Sequence, residues 1–170
     1  MLTARTATAG SDYVAAGPDR CRLLRLKEVD NVGTEPTYIF DNLPAGTIHN
    51  GGSLNFGPDG KLYVTTGDST AASEREAQNP SSLNGKVLRI NKDGTIPADN
   101  PSPGSAVWAL GLRNSFDAAF HPDTGDLWAT ENGPETNDEV NRIVKGGNYG
   151  WPVVMGIAGN PSYIDPIVAF

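Results

Sequence analysis

The chain contains 170 residues and carries a formal net charge of −7, from 20 Asp and Glu against 13 Lys and Arg. This length is enough to bury a hydrophobic core, which disfavours a disordered chain, and the acidic balance without a long basic cluster disfavours nucleic-acid binding. The chain has no apolar run long enough for a signal peptide or a membrane span, so we expect it to be soluble. The single cysteine, Cys21, cannot form an internal disulfide.

Short strands and frequent turns are predicted along the chain, which contains 20 Gly and 13 Pro. Near the N-terminus, residues 12–16 and 22–26 form a weaker first copy of the strand unit, without a Pro-Asp-Gly turn before it. Residues 55–67 then place a Pro-Asp-Gly turn between two apolar runs. Because Pro restricts φ, Asp caps the turn and Gly adopts a positive φ, this segment predicts two strands joined by a tight turn.

This strand–turn–strand segment recurs later in the chain. Residues 119–131 share with residues 55–67 the pattern Phe-x-Pro-Asp followed by Gly, Leu, an aromatic, a small residue and Thr, with one inserted residue. Each copy is followed by another alternating segment, at 85–91 and at 138–144. Repeats of short strands at such spacing are typical of β-propeller blades, which surround a central channel.

The repeats predict an all-β fold with about three propeller blades, in one partial domain that covers residues 1–170. The approximate blades are 1–45, 46–105 and 106–170. Three blades cannot close a ring, so blade faces and strand edges would be exposed unless further blades or a second copy covered them. A β-sandwich is the alternative, because strand and turn spacing alone does not separate the two folds.

Two loop segments carry candidate catalytic or ligand-binding side chains. His49 precedes a Gly-rich stretch that leads directly into a strand, although a solitary loop histidine is more often structural. Arg113 and Asn114 follow an apolar strand, a position from which side chains can contact ligands on a rigid scaffold. The alternative for Arg113 is an ion pair with a nearby carboxylate.

An oxygen-rich loop at residues 131–139 ends in Asp138 and Glu139. Ca²⁺ takes about six to eight oxygens from carboxylates, amides and backbone carbonyls, so this loop is a candidate calcium site, although it lacks EF-hand spacing. A solvated acidic loop is the alternative. The chain contains no Cys-x-x-Cys, His-Glu-x-x-His, Gly-x-Ser-x-Gly or Walker A motif, which disfavours zinc, serine-nucleophile and P-loop chemistry.

Several motifs occur together in a specific order within about residues 45–155. They are His49-x-Gly-Gly, Phe56-Gly-Pro-Asp-Gly-Lys-Leu-Tyr-Val-Thr-Thr-Gly-Asp, Leu83-Asn-Gly-Lys-Val-Leu-Arg-Ile, Gly111-Leu-Arg-Asn, Glu131-Asn-Gly-Pro and Gly146-Gly-Asn-Tyr-Gly-Trp-Pro. This combination resembles the PQQ-dependent soluble aldose sugar dehydrogenases, the glucose/sorbosone dehydrogenase family. The N-terminal segment matches more loosely.

The resemblance implies a six-bladed β-propeller that binds PQQ through Ca²⁺ and oxidises aldose sugars at the anomeric carbon to lactones. By motif, His49 matches the catalytic base, which takes the proton of the anomeric hydroxyl while hydride passes to the quinone. Arg113 matches a catalytic, cofactor-binding arginine beside the quinone carbonyls. Asn114 matches a residue that lines the cofactor, and Gln78 lies near a position that lines the pocket in relatives.

The resemblance also implies calcium ligands in the oxygen-rich loop. The backbone carbonyls of Gly133 and Pro134 match those that hold the Ca²⁺ bridging to PQQ. Asp138, Glu139 and Tyr149 fall where some members bind further, structural Ca²⁺.

The chain departs from the family pattern in two ways. The later lysine and arginines that neutralise the PQQ carboxylates lie in blades that this chain does not contain, and Ile48 replaces an acidic residue that precedes the base in some members.

The resemblance further implies an aldose substrate, an electron acceptor, a periplasmic or extracellular location, and a homodimer as one way to complete the ring. The alternative function is a non-catalytic propeller that binds a protein or glycan, as the related domain of hedgehog-interacting proteins does.

Overall fold

The computed structural model describes residues 11–16, 21–70 and 73–170, which form three antiparallel sheets and one 3₁₀ helix. In order across the sheet, the first contains β1 (Ser11–Ala16), β2 (Cys21–Val29) and β3 (Val32–Leu43). The second contains β4 (Leu54–Phe56), β5 (Leu62–Thr66), β6 (Lys86–Ile90) and β7 (Val107–Leu110). The third contains β11 (Val168–Ala169), β10 (Glu139–Ile143), β9 (Leu127–Glu131) and β8 (Ser115–Phe120). The 3₁₀ helix spans Glu74–Gln78.

Both predicted strand–turn–strand segments are confirmed. Phe56 on β4 lies opposite Leu62 on β5, and the Gly57 N–H donates to the Lys61 carbonyl at 2.9 Å across the turn. Strands β8 and β9 pair in the same antiparallel way, and the alternating segments that follow the two copies form β6 and β10. Strands β1 and β2 confirm the two strands predicted near the N-terminus. The residues before β1, where no signal peptide is predicted, lie outside the described residues.

Two hydrophobic clusters hold the three sheets together in chain order. The first cluster joins the first and second sheets and includes Leu23, Leu62 and Leu88. The second joins the second and third sheets and includes Tyr63 and Val87. Strands β5 and β6 are buried along their whole length. Because successive strand residues point to opposite faces, both faces of the second sheet must be covered. Each fully buried Leu contributes about 1.5–3 kcal/mol. The second sheet is therefore the central layer.

This layering confirms the predicted all-β class, and it differs from the two-sheet β-sandwich that the sequence left open. The second sheet extends to Leu110, past the approximate boundary predicted at residue 105, because β7 pairs with β6. Of the three sheets, the first has three strands and the other two have four. Within the described ranges, no helix is long and apolar enough to cross a membrane.

Candidate functional site

His49 lies in the loop between β3 and β4, which is held tightly against the end of β5. Its backbone φ is +55°, an unusual value for a residue with a side chain, and its carbonyl accepts a hydrogen bond from the Ser69 N–H at 3.1 Å. A Cβ atom at Gly67 would lie 1.9 Å from the same carbonyl, so only glycine allows this close approach. Such a constrained backbone costs about 1–3 kcal/mol and is often found at functional sites.

The imidazole of His49 pairs with Asp68, the last residue of the motif that begins at Phe56, to which the sequence assigned no role. His49 Nδ1 lies 2.8 Å from Asp68 Oδ1, and the side chains of the two residues are 14% and 1% exposed. Since an ionised carboxylate only accepts hydrogen bonds, this contact favours the tautomer of the neutral ring that has its proton on Nδ1 and its lone pair on Nε2. The available signal was the position of Asp68, a carboxylate just beyond the end of an apolar strand.

Trp151 connects this histidine–aspartate pair to Arg113. The indole Nε1–H donates to the second carboxylate oxygen of Asp68, Oδ2, at 2.9 Å. The Arg113 guanidinium carbon lies 5.4 Å from the centroid of the indole ring, within the range of a cation–π interaction. The predicted base and the predicted arginine are therefore brought into one cluster through two residues, Asp68 and Trp151, that were given no role from the sequence.

Arg113 and Asn114 are held at the start of β8 by a buried carboxylate, Glu131. Its Oε1 atom accepts hydrogen bonds from the Arg113 N–H, at 2.6 Å, and from the Asn114 N–H, and its Oε2 accepts from the Ser115 hydroxyl at 2.8 Å. Burial, together with the nearby negative charge of Glu139, raises the pKa of Glu131 to about 7 although these hydrogen bonds oppose the shift.

Asn114 and Gln78 are less available to a ligand than the sequence suggests. Asn114 is buried, and its Oδ1 accepts from the Gly51 N–H at 2.9 Å, which anchors the loop that carries His49. Gln78 donates through Nε2 to Asn148 Oδ1 at 3.0 Å and to the Trp151 carbonyl at 2.7 Å. Both amide hydrogens of Gln78 are thus used inside the protein, so its observed contacts position the Trp151 segment.

The predicted calcium loop borders the same cluster. One cavity is lined by residues of the loop together with the arginine and the tryptophan, among them Arg113, Gly133, Pro134, Glu139, Tyr149 and Trp151. The loop is tightly folded, since a Cβ atom at Gly133 would lie 1.8 Å from the Thr136 carbonyl oxygen, and the Gly133 N–H donates to Asp138 Oδ1 at 2.9 Å. Asp138 therefore orients the loop and is not among the cavity-lining residues.

The residues that line the cavity offer oxygen donors of the kind that bind Ca²⁺. In the described part of the chain, no group of three or more His, Cys, Asp or Glu side chains is arranged to hold a metal. Gly133, Pro134 and Glu139 line this cavity, and backbone carbonyls and carboxylates are the hard oxygen donors that Ca²⁺ prefers. The Glu139 carboxylate is also bound within the chain, where Oε1 accepts from the Gly156 N–H at 2.7 Å and Oε2 accepts from Asn141 Nδ2 at 3.0 Å. The Tyr149 hydroxyl is engaged by the backbone, since it donates to the Arg142 carbonyl at 2.6 Å and accepts from the Val144 N–H at 2.9 Å.

Comparison with known proteins identifies the family to which the chain is similar. The family model described as "Glucose / Sorbosone dehydrogenase" matches residues 10–164. Quinoprotein glucose dehydrogenase B of Acinetobacter calcoaceticus is 39% identical over 149 residues, which cover 76% of this chain and 31% of that protein. Aldose sugar dehydrogenase YliI of Escherichia coli is 37% identical over 127 residues, which cover 71% of this chain and 34% of that protein.

Among solved structures, the PQQ-bound form of aldose sugar dehydrogenase from Streptomyces coelicolor matches with a TM-score of 0.90 and 35% sequence identity. The match covers 96% of this chain and 50% of that one. The chain thus spans about a third of the length of the two curated relatives and half of the solved structure. Since the family model covers most of the chain and the described sheets match a family structure closely, the chain belongs to the glucose/sorbosone dehydrogenase family.

Proposed function

We propose that this chain forms part of a PQQ- and Ca²⁺-dependent oxidoreductase that oxidises aldose sugars at the anomeric carbon to lactones. The observation that carries the proposal is the cluster in which the His49–Asp68 pair lies next to Arg113 through Trp151. Oxidation of an alcohol to a carbonyl removes a hydroxyl proton and a hydride together. The cluster contains a histidine held by a buried carboxylate, which can take the proton, beside a cation and an oxygen-rich loop.

His49 is the proposed general base. With the Nδ1 proton directed to Asp68, the lone pair on Nε2 can accept the proton of the anomeric hydroxyl, and the Asp68 carboxylate stabilises the imidazolium that results. A base positioned in this way contributes about 10²- to 10⁴-fold in rate. Because Asp68 is almost fully buried, its charge acts on the imidazole with little screening by water.

The remaining residues of the cluster would hold the cofactor. The guanidinium of Arg113 can interact with a quinone oxygen or a carboxylate, and the Gly133 and Pro134 carbonyls with Glu139 can hold Ca²⁺. When bound, PQQ supplies the acceptor for the hydride of the anomeric carbon, a reaction that protein side chains cannot perform. Asn114, Gln78 and Asp138 support this proposal as residues that orient the loops, through the contacts described above.

The complete assembly is also part of the proposal. We expect the three sheets to be blades of a six-bladed propeller, because they pack in succession and the chain spans half of a matching family structure. The other half of the ring would supply further cofactor contacts, either from additional chain or from a second copy. An aldose substrate, a separate electron acceptor and a location in the periplasm or outside the cell complete the proposal.

The decisive test replaces His49 with Ala in a preparation that binds PQQ and Ca²⁺. We expect sugar oxidation to fall by about 10²- to 10⁴-fold with PQQ binding nearly unchanged, because a base acts on the substrate and not on the cofactor. His121→Ala is the matched control, since His121 lies in an exposed turn where its ring accepts from the N–H groups of Asp123 and Thr124.

Two outcomes would contradict the proposal. If sugar turnover is unchanged in the His49→Ala protein, His49 is not the general base. If the wild-type protein binds no PQQ in the presence of Ca²⁺, the non-catalytic binding module is favoured. Turnover is followed by reduction of an artificial electron acceptor, and PQQ binding by the absorbance of the bound cofactor.

A further inference from the structure

The carboxylate of Asp68 is held at both of its oxygens by residues from different parts of the chain. Oδ1 lies 2.8 Å from His49 Nδ1, and Oδ2 accepts the Trp151 Nε1–H at 2.9 Å. The side chain is 1% exposed, so water does not compete for either oxygen. The orientation of the carboxylate therefore depends on these two partners.

A carboxylate with a single partner is not well oriented. Rotation about the terminal bond of an Asp side chain is broad and nearly twofold, so one contact to a histidine does not define the plane of the carboxylate. The second contact, from Trp151, restricts this rotation. The Nδ1–H···Oδ1 geometry of the His49–Asp68 pair consequently depends on an indole N–H that does not touch His49.

Trp151 is itself fixed on its backbone and on its ring. Its N–H donates to the Gly111 carbonyl at 2.9 Å, and its carbonyl accepts from Gln78 Nε2 at 2.7 Å. The ring lies against the Arg113 guanidinium, with 5.4 Å between the guanidinium carbon and the ring centroid. The same indole thus contacts the carboxylate that orients the base and the arginine of the proposed cofactor site.

We propose that Trp151 is a positioning residue that maintains the Nδ1–H tautomer of His49 by holding Asp68, and so keeps Nε2 free to accept a proton. This inference rests on the proposed function, because a free Nε2 matters for catalysis only if His49 is the general base. The tautomer itself is a property of the chain without cofactor, and it can be measured independently of activity.

The test measures the tautomer of the neutral His49 ring by ¹⁵N and ¹³C NMR in the wild-type protein and in Trp151→Phe. Phenylalanine keeps an aromatic ring beside Arg113 but removes the indole N–H together with the volume of the second ring, and the control variant below removes the same volume. We expect the wild-type ring to carry its proton on Nδ1, and the ratio of Nδ1–H to Nε2–H to fall by about tenfold or more in the variant, as expected for loss of a hydrogen bond to a charged group. Trp128→Phe is the matched control, because the buried Trp128 Nε1 has no hydrogen-bond partner in the described part of the chain.

The outcomes separate this inference from the proposed function. If the wild-type ring is Nδ1–H and Asp68→Asn changes the tautomer but Trp151→Phe does not, the role of Trp151 is refuted and the proposed base is retained. If the wild-type ring is not Nδ1–H, the proposed base is refuted as well. In a preparation that binds PQQ, we expect Trp151→Phe to lower kcat about tenfold with little change in KM. This decrease is smaller than the full rate contribution of a positioned base, because the variant keeps His49 and Asp68. An equal effect of Trp128→Phe on either readout would also refute the inference.

Discussion

Lys86 is fully buried at the start of β6, and its replacement by Met tests how the 3₁₀ helix is attached to the central sheet. The side chain is 0% exposed, and Nζ donates to the carbonyls of Glu76 at 2.8 Å, of Ala77 at 2.9 Å and of Asn84. Two of these carbonyls lie in the helix that leads to Gln78. The Glu76 and Ala77 carbonyls also accept from the Asn79 N–H at 3.1 Å and the Gly111 N–H at 2.9 Å, so the ammonium adds a second, charged donor to each and ties both to the Asn84 carbonyl.

Two effects of Lys86→Met oppose each other. Burial lowers the pKa of Lys86 to about 8, which corresponds to about 3 kcal/mol of cost for the charged form in the folded state, and Met removes this cost. Met also removes three hydrogen bonds from a charged donor, each of which contributes about 1.5–3 kcal/mol. The second effect is larger, so we expect the free energy of unfolding at pH 7 to fall by about 2–4 kcal/mol.

Urea unfolding at several pH values measures both effects. Between pH 8 and the ordinary pKa of lysine near 10.5, the unfolded state binds a proton that the folded state has lost, so wild-type stability should rise with pH over this window. Lys86→Met should lack this rise. Lys92→Met, at an exposed position, is the control and should change stability by less than about 0.5 kcal/mol. A Lys86→Met protein as stable as the wild type at pH 7, or one that keeps the rise, would refute the reasoning.

Two further predictions concern the proposed calcium loop and the outer sheets. Gly133→Ala places a Cβ atom 1.8 Å from the Thr136 carbonyl oxygen, so we expect the loop to shift and calorimetric Ca²⁺ affinity to fall about tenfold or more; unchanged affinity would contradict a role for this loop. The outer sheets and the C-terminal segment expose large apolar side chains, including Phe116, Ile157 and Phe170, so we expect light scattering to show a dimer at micromolar concentration. A stable monomer would contradict that expectation.

The sequence by itself determined the features that depend on neighbouring residues. The Pro-Asp-Gly turns and the alternating segments predicted both hairpins and the strands that follow them, because turn geometry and strand alternation are local properties. A further local signal went unused. Asp30 and Asn31, both with positive φ, form the two-residue turn between β2 and the long β3, where Val29 lies opposite Val32.

The motifs also identified His49, Arg113 and the Gly133–Pro134 loop as candidates, but only the tertiary structure decided how they are connected. Asp68 joins His49 across 19 positions of the chain and Trp151 across 83, and no local pattern reports contacts at such separations. Burial decided the rest. Asn114 is buried and accepts from the Gly51 N–H, and both amide hydrogens of the half-buried Gln78 are bound within the chain, because polar groups that lose contact with water need partners from the chain.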